Sequence, residues 1–436
     1  MRKKTLSILI SWCIAGCNVH PRAYDYLNPD VPLWFHRPDG SMHVFLRHPI
    51  TAAERKKGEE EERGQPAIDP RGNRIFVGSS DRGLYAVAAS DGHVLWRFET
   101  VGLVRAEPLY DPVSDMVFFG SYDGALYAVR AQDGGLLWRF NTGAEVERKP
   151  VISGQTIYVV NGSDQLFAID RKTGKSLWQV RRTPALGMEI ARHAGPLVAQ
   201  GKVFLAYSDG HVMAYSAQDG SEVWTPVDLS LDLERTGVND PTRCLDVDTT
   251  PVIDPDFPEN SPVFVASYGG GVYALNSNSG SRLWVNHHAT GVTELMLWKE
   301  RAHLPTSFGP ERGGGVVSER KVLFAVSSMT GVWALHPETG AILWRAPAPE
   351  GGLSGMVSVA GALLIGAPRR GLFLLSPLNG KVIDGIHVGT GITQTPSVYG
   401  HRVFVMTNSG ILLGIQVNPQ LLAEHTAWTS NREQSF

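Results

Sequence analysis

A unit of about 40 residues recurs along this 436-residue chain, and it constrains the fold more than any other feature. Its pattern is G/S-S-x-D/G-G-x-L/V-Y-A, followed by a D-G or T-G pair and then L-W, as in residues 78–96 and 120–138. The position of the Leu in L-Y-A falls at residues 84, 126, 166, 212, 272, 332, 372 and 412. Eight such copies indicate an architecture that repeats one supersecondary unit.

Each unit has the pattern of short antiparallel strands. Apolar residues alternate with period two and are rich in Val, Leu, Tyr and Phe, and a glycine at the central turn can adopt the positive φ of a tight hairpin. Four short strands in about 40 residues form one propeller blade. The sequence therefore predicts an all-β fold, an eight-bladed β-propeller of four-stranded antiparallel blades. The 47 glycines fit its many turns.

The eighth unit ends after its third strand, at about Val417, so another part of the chain must supply the outer strand. Closure of the ring removes exposed sheet edges, and we expect an N-terminal strand to provide it. The favoured segment follows the D-G turn at Asp39 and Gly40 and covers residues 42–48; the alternative is Leu33 and Trp34. The charged run 54–63 is then expected to be an exposed loop.

Six tryptophans end the outer-strand pattern of successive units. A structural interpretation docks each indole against the neighbouring blade, and a functional one makes it a stacking platform for a ligand. Repetition at one position favours the structural role. The six are Trp96, Trp138, Trp178, Trp224, Trp284 and Trp344.

The N-terminal sequence has the pattern of a targeting segment. Basic residues precede an apolar stretch of 11 residues, too short to span a bilayer, and the segment ends Ile-Ala-Gly-Cys, which resembles a bacterial lipobox. We expect a signal peptide at 1–16, lipidation of Cys17, a tether over 17–38, the propeller over 39–417 and a C-terminal tail over 418–436. Asn18 after the cysteine resembles an outer-membrane signal, and the protein would face the periplasm.

Composition excludes several classes. A net charge of −3 offers no basic excess for a nucleic-acid backbone. Three cysteines cannot build a disulfide framework or a four-thiolate zinc site, and His287 and His288 lack a spaced third ligand. We therefore predict neither metal nor cofactor.

The repeat resembles the pyrroloquinoline quinone (PQQ) repeat of quinoprotein dehydrogenases. Enzymes of that family use a vicinal disulfide, a Ca²⁺ site and often a CxxCH haem motif. This chain has neither adjacent cysteines nor CxxCH, and Asp246 and Asp248 lack the further ligands of a calcium loop. The prediction is a non-enzymatic propeller.

Residues 244–252, Cys-Leu-Asp-Val-Asp-Thr-Thr-Pro-Val, resemble the D-V-D-T-T-P segment of the BamB family of outer-membrane assembly lipoproteins. The resemblance implies that Asp246 and Asp248 contact a POTRA domain of a BamA-like barrel protein. The alternative is that both aspartates cap a turn before a strand. The family's second contact is an apolar loop with an arginine one blade earlier. Its counterpart here is Leu186, Met188, Ile190 and Arg192, with the arginine out of the family's register.

Three successive units are longer than 40 residues. The additional chain lies at 181–195, 227–245 and 287–315, and we expect three adjacent loops on one face, where functional residues concentrate. Residues 293–301 are expected to form a short helix. Trp298, which lies outside the repeat, is either a partner anchor or part of a helix that packs on the rim.

These features together predict a scaffold lipoprotein that binds a BamA-like partner and helps to deliver unfolded outer-membrane proteins. A propeller lipoprotein for a different envelope partner or ligand is the alternative, and a quinoprotein dehydrogenase is a further one.

Overall fold

The computed structural model describes residues 40–51, 61–71, 73–182, 193–230, 247, 249–254, 256, 261–303 and 317–426. Eight four-stranded antiparallel sheets form a ring, which confirms the predicted eight-bladed propeller. The first strands of neighbouring blades contact one another, so they surround the axis, and the fourth strands lie at the circumference.

Strand bounds in the first four blades are β2 Pro66–Ile68, β3 Arg74–Gly78, β4 Gly83–Ala88 and β5 Val94–Glu99; β6 Leu109–Asp111, β7 Met116–Ser121, β8 Ala125–Arg130 and β9 Leu136–Asn141; β10 Val151–Ser153, β11 Thr156–Val160, β12 Gln165–Asp170 and β13 Ser176–Arg181; β14 Leu197–Ala199, β15 Lys202–Ala206, β16 His211–Ser216 and β17 Val227–Asp228. The other four contain β18 Val252–Ile253, β19 Pro262–Ser267, β20 Gly271–Asn276 and β21 Arg282–Asn286; β22 Val292–His303, β23 Val317–Ser327, β24 Gly331–Leu335 and β25 Ile342–Ala346; β26 Met356–Val359, β27 Ala362–Ala367, β28 Gly371–Leu375 and β29 Val382–His387; β30 Ser397–Tyr399, β31 Arg402–Met406, β32 Ile411–Val417 and the N-terminal β1 Met42–Pro49.

The hydrophobic core lies between blades. Along β7, Val117 and Phe119 pack towards blade 1, and Phe118 packs towards blade 3. Because successive side chains of a strand point to opposite faces, the period-two pattern places apolar residues in two inter-blade layers. The middle strands are buried on both sides, and β4 and β7 have no exposed residue.

The six repeat tryptophans dock on the next blade, which confirms their structural role. The indole of Trp138 lies against Gly174, where an added Cβ would lie 2.6 Å from a ring carbon, and its Nε1 donates to the carbonyl of Arg171 at 3.1 Å. Gly174 has φ +69°, so it supplies both the turn and the space for the ring. Equivalent pairs are Trp96 with Gly134, Trp178 with Gly220, Trp224 with Gly280, Trp284 with Gly340 and Trp344 with Gly380.

The N-terminal strand β1 closes the ring, as predicted, by pairing with β32 from Met42–Val417 to Pro49–Ile411. At the boundary with blade 1, Leu46 takes the tryptophan position and its side chain lies beside Gly92. At the boundary between blades 7 and 8, the buried Asp384 of blade 7 occupies the position that tryptophan has in the other units. It accepts a 2.9 Å hydrogen bond from the amide of Met42 in blade 8. The closure thus repeats the inter-blade geometry with different residues.

The prediction of a short helix at 293–301 is wrong, because these residues belong to strand β22. Leu295 and Leu297 pack towards blade 5, while Met296 and Trp298 pack towards blade 7. A run that is apolar on both faces gives no alternation in the sequence, which is why the strand was not recognised.

The additional length of the sixth unit lies in the hairpin of β22 and β23, whereas the connection from blade 5 to blade 6 contains only residues 287–291. In an antiparallel meander, hairpins between first and second strands emerge on the face opposite the inter-blade connections. The expectation of three long loops on one face is therefore wrong for 287–315. Most of the other two segments, 181–195 and 227–245, lies outside the described residues; their described ends belong to the connections from blade 3 to blade 4 and from blade 4 to blade 5.

Two further segments qualify the sequence analysis. Within the charged run 54–63, expected to be exposed, Glu62 is buried and accepts hydrogen bonds from Thr51 Oγ1, Ser79 Oγ and the amide of Ser80. The burial of this carboxylate is tolerated because these three donors replace water.

In the segment expected to be a C-terminal tail, residues Pro419–Thr426 form helix α1, whose Leu422 is buried against the core of blades 7 and 8.

Candidate functional site

A central cavity of about 750 Å³ lies on the propeller axis. All eight blades contribute to its wall through the segments that precede or begin their first strands, and blade 6 adds Ser328 from the turn between β23 and β24. These segments emerge on the face that carries the inter-blade connections, which is called here the connection face. The lining residues are Arg63, Gln65, Arg105, Glu107, Glu145, Glu147, Arg148, Lys149, Val151, His193, Gly195, Pro196, Thr250, Val252, Thr293, Glu294, Leu295, Ser328, Leu353, Ser354, Gly355, Thr393, Gln394 and Thr395.

Blades 1 to 3 form the charged side of this wall. Glu107 accepts hydrogen bonds from Lys149 and, at 2.8 Å, from Gln65. The hydroxyl of Tyr122 donates a hydrogen bond to Glu147. Burial of the phenol raises the pKa of Tyr122, and the hydrogen bond to Glu147 raises it further. The hydroxyl therefore stays protonated and remains a donor. These contacts fix two of the three carboxylates on this side.

Blades 5 to 8 form a side that is rich in hydroxyl groups. Thr250, Thr293, Ser354, Thr393 and Thr395 lie along it, together with an amide and one carboxylate. Thr395 Oγ1 donates to Glu294 at 3.3 Å. Hydroxyl groups both donate and accept hydrogen bonds, so this side can accommodate a polar partner in several orientations.

The two long connections of the connection face meet beside the cavity. Gly195, at the end of the first, donates its amide to Thr250 Oγ1, at the end of the second, at 2.9 Å. Thr249 is fully buried, and its hydroxyl bonds to both the amide and the carbonyl of Ala266, at 2.9 and 3.1 Å. Val247 is also fully buried, in the core around blade 4. The ends of both connections are therefore held firmly and close together.

Blade 4, which lies between these connections, carries a buried tyrosine pair. The hydroxyls of Tyr207 and Tyr215 lie 2.9 Å apart, and Arg182 covers the Tyr207 ring while it pairs with Asp209. Burial, with a smaller contribution from the neighbouring phenol, raises the pKa of Tyr207. Both phenols are thus neutral and rigidly placed. This pair supports the described residues at both connections: Arg182 lies over the Tyr207 ring, and the amide of Val247 donates to the carbonyl of Tyr207.

A second polar contact anchors the start of blade 4. His193 Nδ1 lies 3.3 Å from Asp164 Oδ1, and Ser208 donates to the other carboxylate oxygen at 2.5 Å. Asp164 is nearly completely buried, so it is held by paired contacts as a buried carboxylate requires. His193 thereby joins the end of the first long connection to blade 3.

Most of the predicted site residues lie outside the described part of the chain. These are Cys17, Leu186, Met188, Ile190, Arg192, Asp246 and Asp248. Described neighbours bracket the two predicted contact segments: Arg182 and His193 flank the first, while Val247 and Thr249 flank Asp248.

Trp298 is described, and its position contradicts the role of an exposed partner anchor. The side chain is only 5% exposed and packs edge-on against Phe324, with ring centroids 6.4 Å apart. It belongs to the core between blades 6 and 7, at the base of the long β22–β23 hairpin. Trp298 therefore has a packing role, but it packs from a strand in the core and not from a helix on the rim.

Sequence reasoning did not identify the cavity lining. Apart from Ser328, the lining residues precede or begin the first strand of a unit. The signal available in the sequence is polar residues at that position, such as Arg105 and Glu107 or Thr393 and Thr395. These residues vary from unit to unit, so comparing the repeats obscured them. Across the described ranges, no group of three or more His, Cys, Asp or Glu side chains is arranged to hold a metal ion. No helix within those ranges has the length and apolarity needed to cross a bilayer.

These features define an eight-bladed propeller of the PQQ-repeat class with a polar axial cavity. The chain belongs to the family described as outer membrane protein assembly factor BamB, whose model matches residues 111–346 and 296–435.

Individual relatives are distant. A BamB of Legionella pneumophila strain Paris is 26% identical over 235 residues, which cover 54% of this chain and 53% of that protein. The alignment thus spans about half of the Legionella protein. A BamB of Yersinia pestis is 23% identical over 346 residues, 79% of this chain and 69% of the relative.

Solved structures share the fold at low identity. The crystal structure of BamB from Moraxella catarrhalis matches with a TM-score of 0.63 and 18% identity, covering 81% of this chain and 96% of that one. A quinohemoprotein alcohol dehydrogenase from Pseudomonas putida HK5 matches with a TM-score of 0.60 and 12% identity, covering 90% of this chain and 78% of the enzyme. At these low identities, both matches show that the propeller fold is shared, and they do not show a shared function.

Proposed function

We propose that this protein is a non-catalytic scaffold of the outer-membrane β-barrel assembly machinery. It binds a POTRA domain of a BamA-like barrel protein and helps to present unfolded outer-membrane proteins to it. Membership of the BamB family supports the assembly role. The contact segments are Leu186, Met188, Ile190 and Arg192 on the first long connection, and Asp246 and Asp248 on the second.

The observation that carries this proposal is the hydrogen bond between Gly195 and Thr250. Gly195 lies three residues after Arg192, and Thr250 lies two residues after Asp248. The two segments that resemble separate contacts of the BamB family are thus followed by residues that lie next to each other on one face. Rigid ends favour binding because less conformational entropy is lost when a partner docks.

Membrane attachment belongs to the same proposal. Lipidation of Cys17 would anchor the chain in the outer membrane, with residues 17–38 as a tether and the propeller in the periplasm. Stable anchoring requires more than one acyl chain, which a diacylated cysteine provides. The described chain begins at Gly40, directly before the closing strand β1, so a pull on the tether would act on the strand that closes the ring.

A different envelope partner is the second candidate function. The β22–β23 hairpin is the observation that favours it, since its strands pair over 11 positions from Val292–Ser327 to His303–Val317. In the other blades the first and second strands pair over two to four positions. The hairpin projects on the face opposite the connection face, where it would engage another protein without competing for the first site.

The test is affinity purification from detergent-solubilised envelopes, comparing wild type with Asp246→Arg. We expect the wild-type protein to recover the barrel machinery and Asp246→Arg to recover at least tenfold less, because like charge replaces an attractive contact. Glu338→Arg is the matched control, since Glu338 is exposed on the opposite face and undergoes the same change of charge. Equal recovery by Asp246→Arg would remove the proposed site, and recovery of the machinery by neither protein would remove the proposed function.

A further inference from the structure

The axial cavity has the size of a ligand site and an unusual lining. Its volume of about 750 Å³ lies within the range of about 300–1,000 Å³ that is common for ligand pockets. Such pockets are mostly apolar, whereas charged and hydroxyl-bearing side chains predominate here. A lining of this kind suits a ligand that carries charges of its own.

Two opposite charges in the wall make no ion pair with another described residue. Arg63 lies on the blade 1 side, and Glu145 lies on the blade 3 side; both are half-buried. By contrast, Glu107 is paired with Lys149, and Glu147 accepts a hydrogen bond from the Tyr122 hydroxyl. Half-buried charges gain more from a ligand of opposite charge than fully exposed ones do, because solvent screens them less.

The backbone next to Glu145 keeps space for its carboxylate. A Cβ added to Gly162 would lie 2.4 Å from Glu145 Oε1, so a larger residue there would displace the carboxylate. On the opposite side, a Cβ added to Gly355 would lie 1.9 Å from Glu294 Oε2 and 2.0 Å from Thr395 Oγ1. Glycines therefore shape the wall at two of its carboxylates, on both sides of the cavity.

We infer that the cavity binds the free ends of a short peptide. The guanidinium of Arg63 pairs with the terminal carboxylate, and Glu145 pairs with the terminal ammonium group. The hydroxyls of blades 5 to 8 hydrogen-bond the peptide groups between the two ends, which need both donors and acceptors. The inference does not depend on the proposed scaffold function. Thr250 lies both in the wall and at the end of a long connection, but Arg63 and Glu145, which bind the two ends of the peptide, lie on neither connection.

Isothermal titration calorimetry on the purified full-length protein tests the inference with triglycine as the probe. We expect N-acetylation or C-terminal amidation of triglycine to weaken binding by about tenfold or more each, since each removes a charge-assisted contact. In Arg63→Gln, amidation should no longer matter, and in Glu145→Gln, acetylation should no longer matter, as expected when each end has its own partner.

Lys381→Gln and Glu338→Gln are matched controls, because both side chains are exposed on the opposite face. They should bind triglycine as the wild type does, and the unfolding curves of all four variants should show intact propellers. No heat of binding with millimolar triglycine would overturn the inference. Equal affinity for the doubly capped peptide, or binding of an oligosaccharide such as chitotriose in its place, would also overturn it.

Discussion

At the scale of single residues, the tryptophan of each unit holds one blade to the next. It fills the space above a glycine of the following blade, and in five of the six units its Nε1 donates to that blade's backbone. Trp224 is the exception, since its Nε1 has no hydrogen-bond partner among the residues that the structure describes. Pro226, which has no amide proton to donate to a ladder, directly precedes the outer strand β17 of blade 4. Strand β17 pairs with β16 over only two positions.

Trp138→Ala should destabilise the protein by about 3–5 kcal/mol, because it removes a buried ring and leaves a cavity between blades 2 and 3. Chemical denaturation monitored by circular dichroism measures this change. The neighbouring Leu137→Ala is the control. Leu137 is 41% exposed, so its substitution should change the unfolding free energy by no more than about 0.5 kcal/mol. Equal effects of both substitutions would contradict the docking role of Trp138.

At the scale of elements, the outer strands explain why exposed leucines recur. The residue before the tryptophan is a β-bulge in most blades, because the register shifts there, as between Ala128–Trp138 and Val129–Leu136. A bulge twists an edge strand and hinders pairing with other chains. The bulged residues are Leu95, Leu137, Leu177, Leu283, Leu343, Ile383 and, in the closing strand, Phe45.

The repeat was sufficient to predict the blades, since alternation and turn glycines are local signals. The bulges could not be predicted in this way, because one additional residue in a strand appears only when its partner is known. Strand β22 was mistaken for a helix because both of its faces are buried. The cavity cannot be predicted from the sequence for a related reason. Arg63 and Thr395 are far apart along the chain, and they line the same cavity only because the ring closes.

The β22–β23 hairpin is joined to blade 5 by an acidic and basic cluster. Asp254 pairs with Lys299 and, at 2.9 Å, with Lys321. Burial acts to raise the pKa of Asp254, but hydrogen bonds from the two lysines outweigh it and hold the pKa below its usual range. A carboxylate with a depressed pKa contributes stability above its unfolded pKa of about 3.9, and that contribution is lost as the pH falls through the lower folded value.

We therefore expect Asp254→Asn to be less stable than wild type at neutral pH, with a difference that narrows as the pH falls below about 4. Urea denaturation at a series of pH values between neutral and about 2.5 measures the difference. A gap that stays constant across this range, or widens in acid, would show that the ion pairs do not contribute in this way.

At the scale of the whole molecule, the N- and C-terminal segments meet in one sheet. Strand β1 completes the eighth blade, and Asp384 holds its first amide from the neighbouring blade. Each boundary in the ring thereby has its own specific contact, and the two faces differ in composition. Two long connections and a polar cavity occupy the connection face, while the long hairpin and helix α1 occupy the other.

The sequence alone was enough to expect closure by residues 42–48, because the eighth unit lacked a strand and a D-G turn preceded the candidate. It did not reveal that Asp384 replaces a tryptophan at the boundary, since a single aspartate in a degenerate unit carries no repeat signal. Long-range contacts of this type follow from the ring as a whole.

The connection face is proposed to bind a BamA-like partner at Asp246 and Asp248. Site-specific photocrosslinking in living cells tests it most directly, with a photoreactive amino acid at position 246 and, as a control, at position 338 on the opposite face. We expect a crosslink from position 246 to the POTRA region of the barrel protein, identified by mass spectrometry, and none from position 338. Crosslinks to the barrel protein from neither position, or equally from both, would show that Asp246 is not at such a contact.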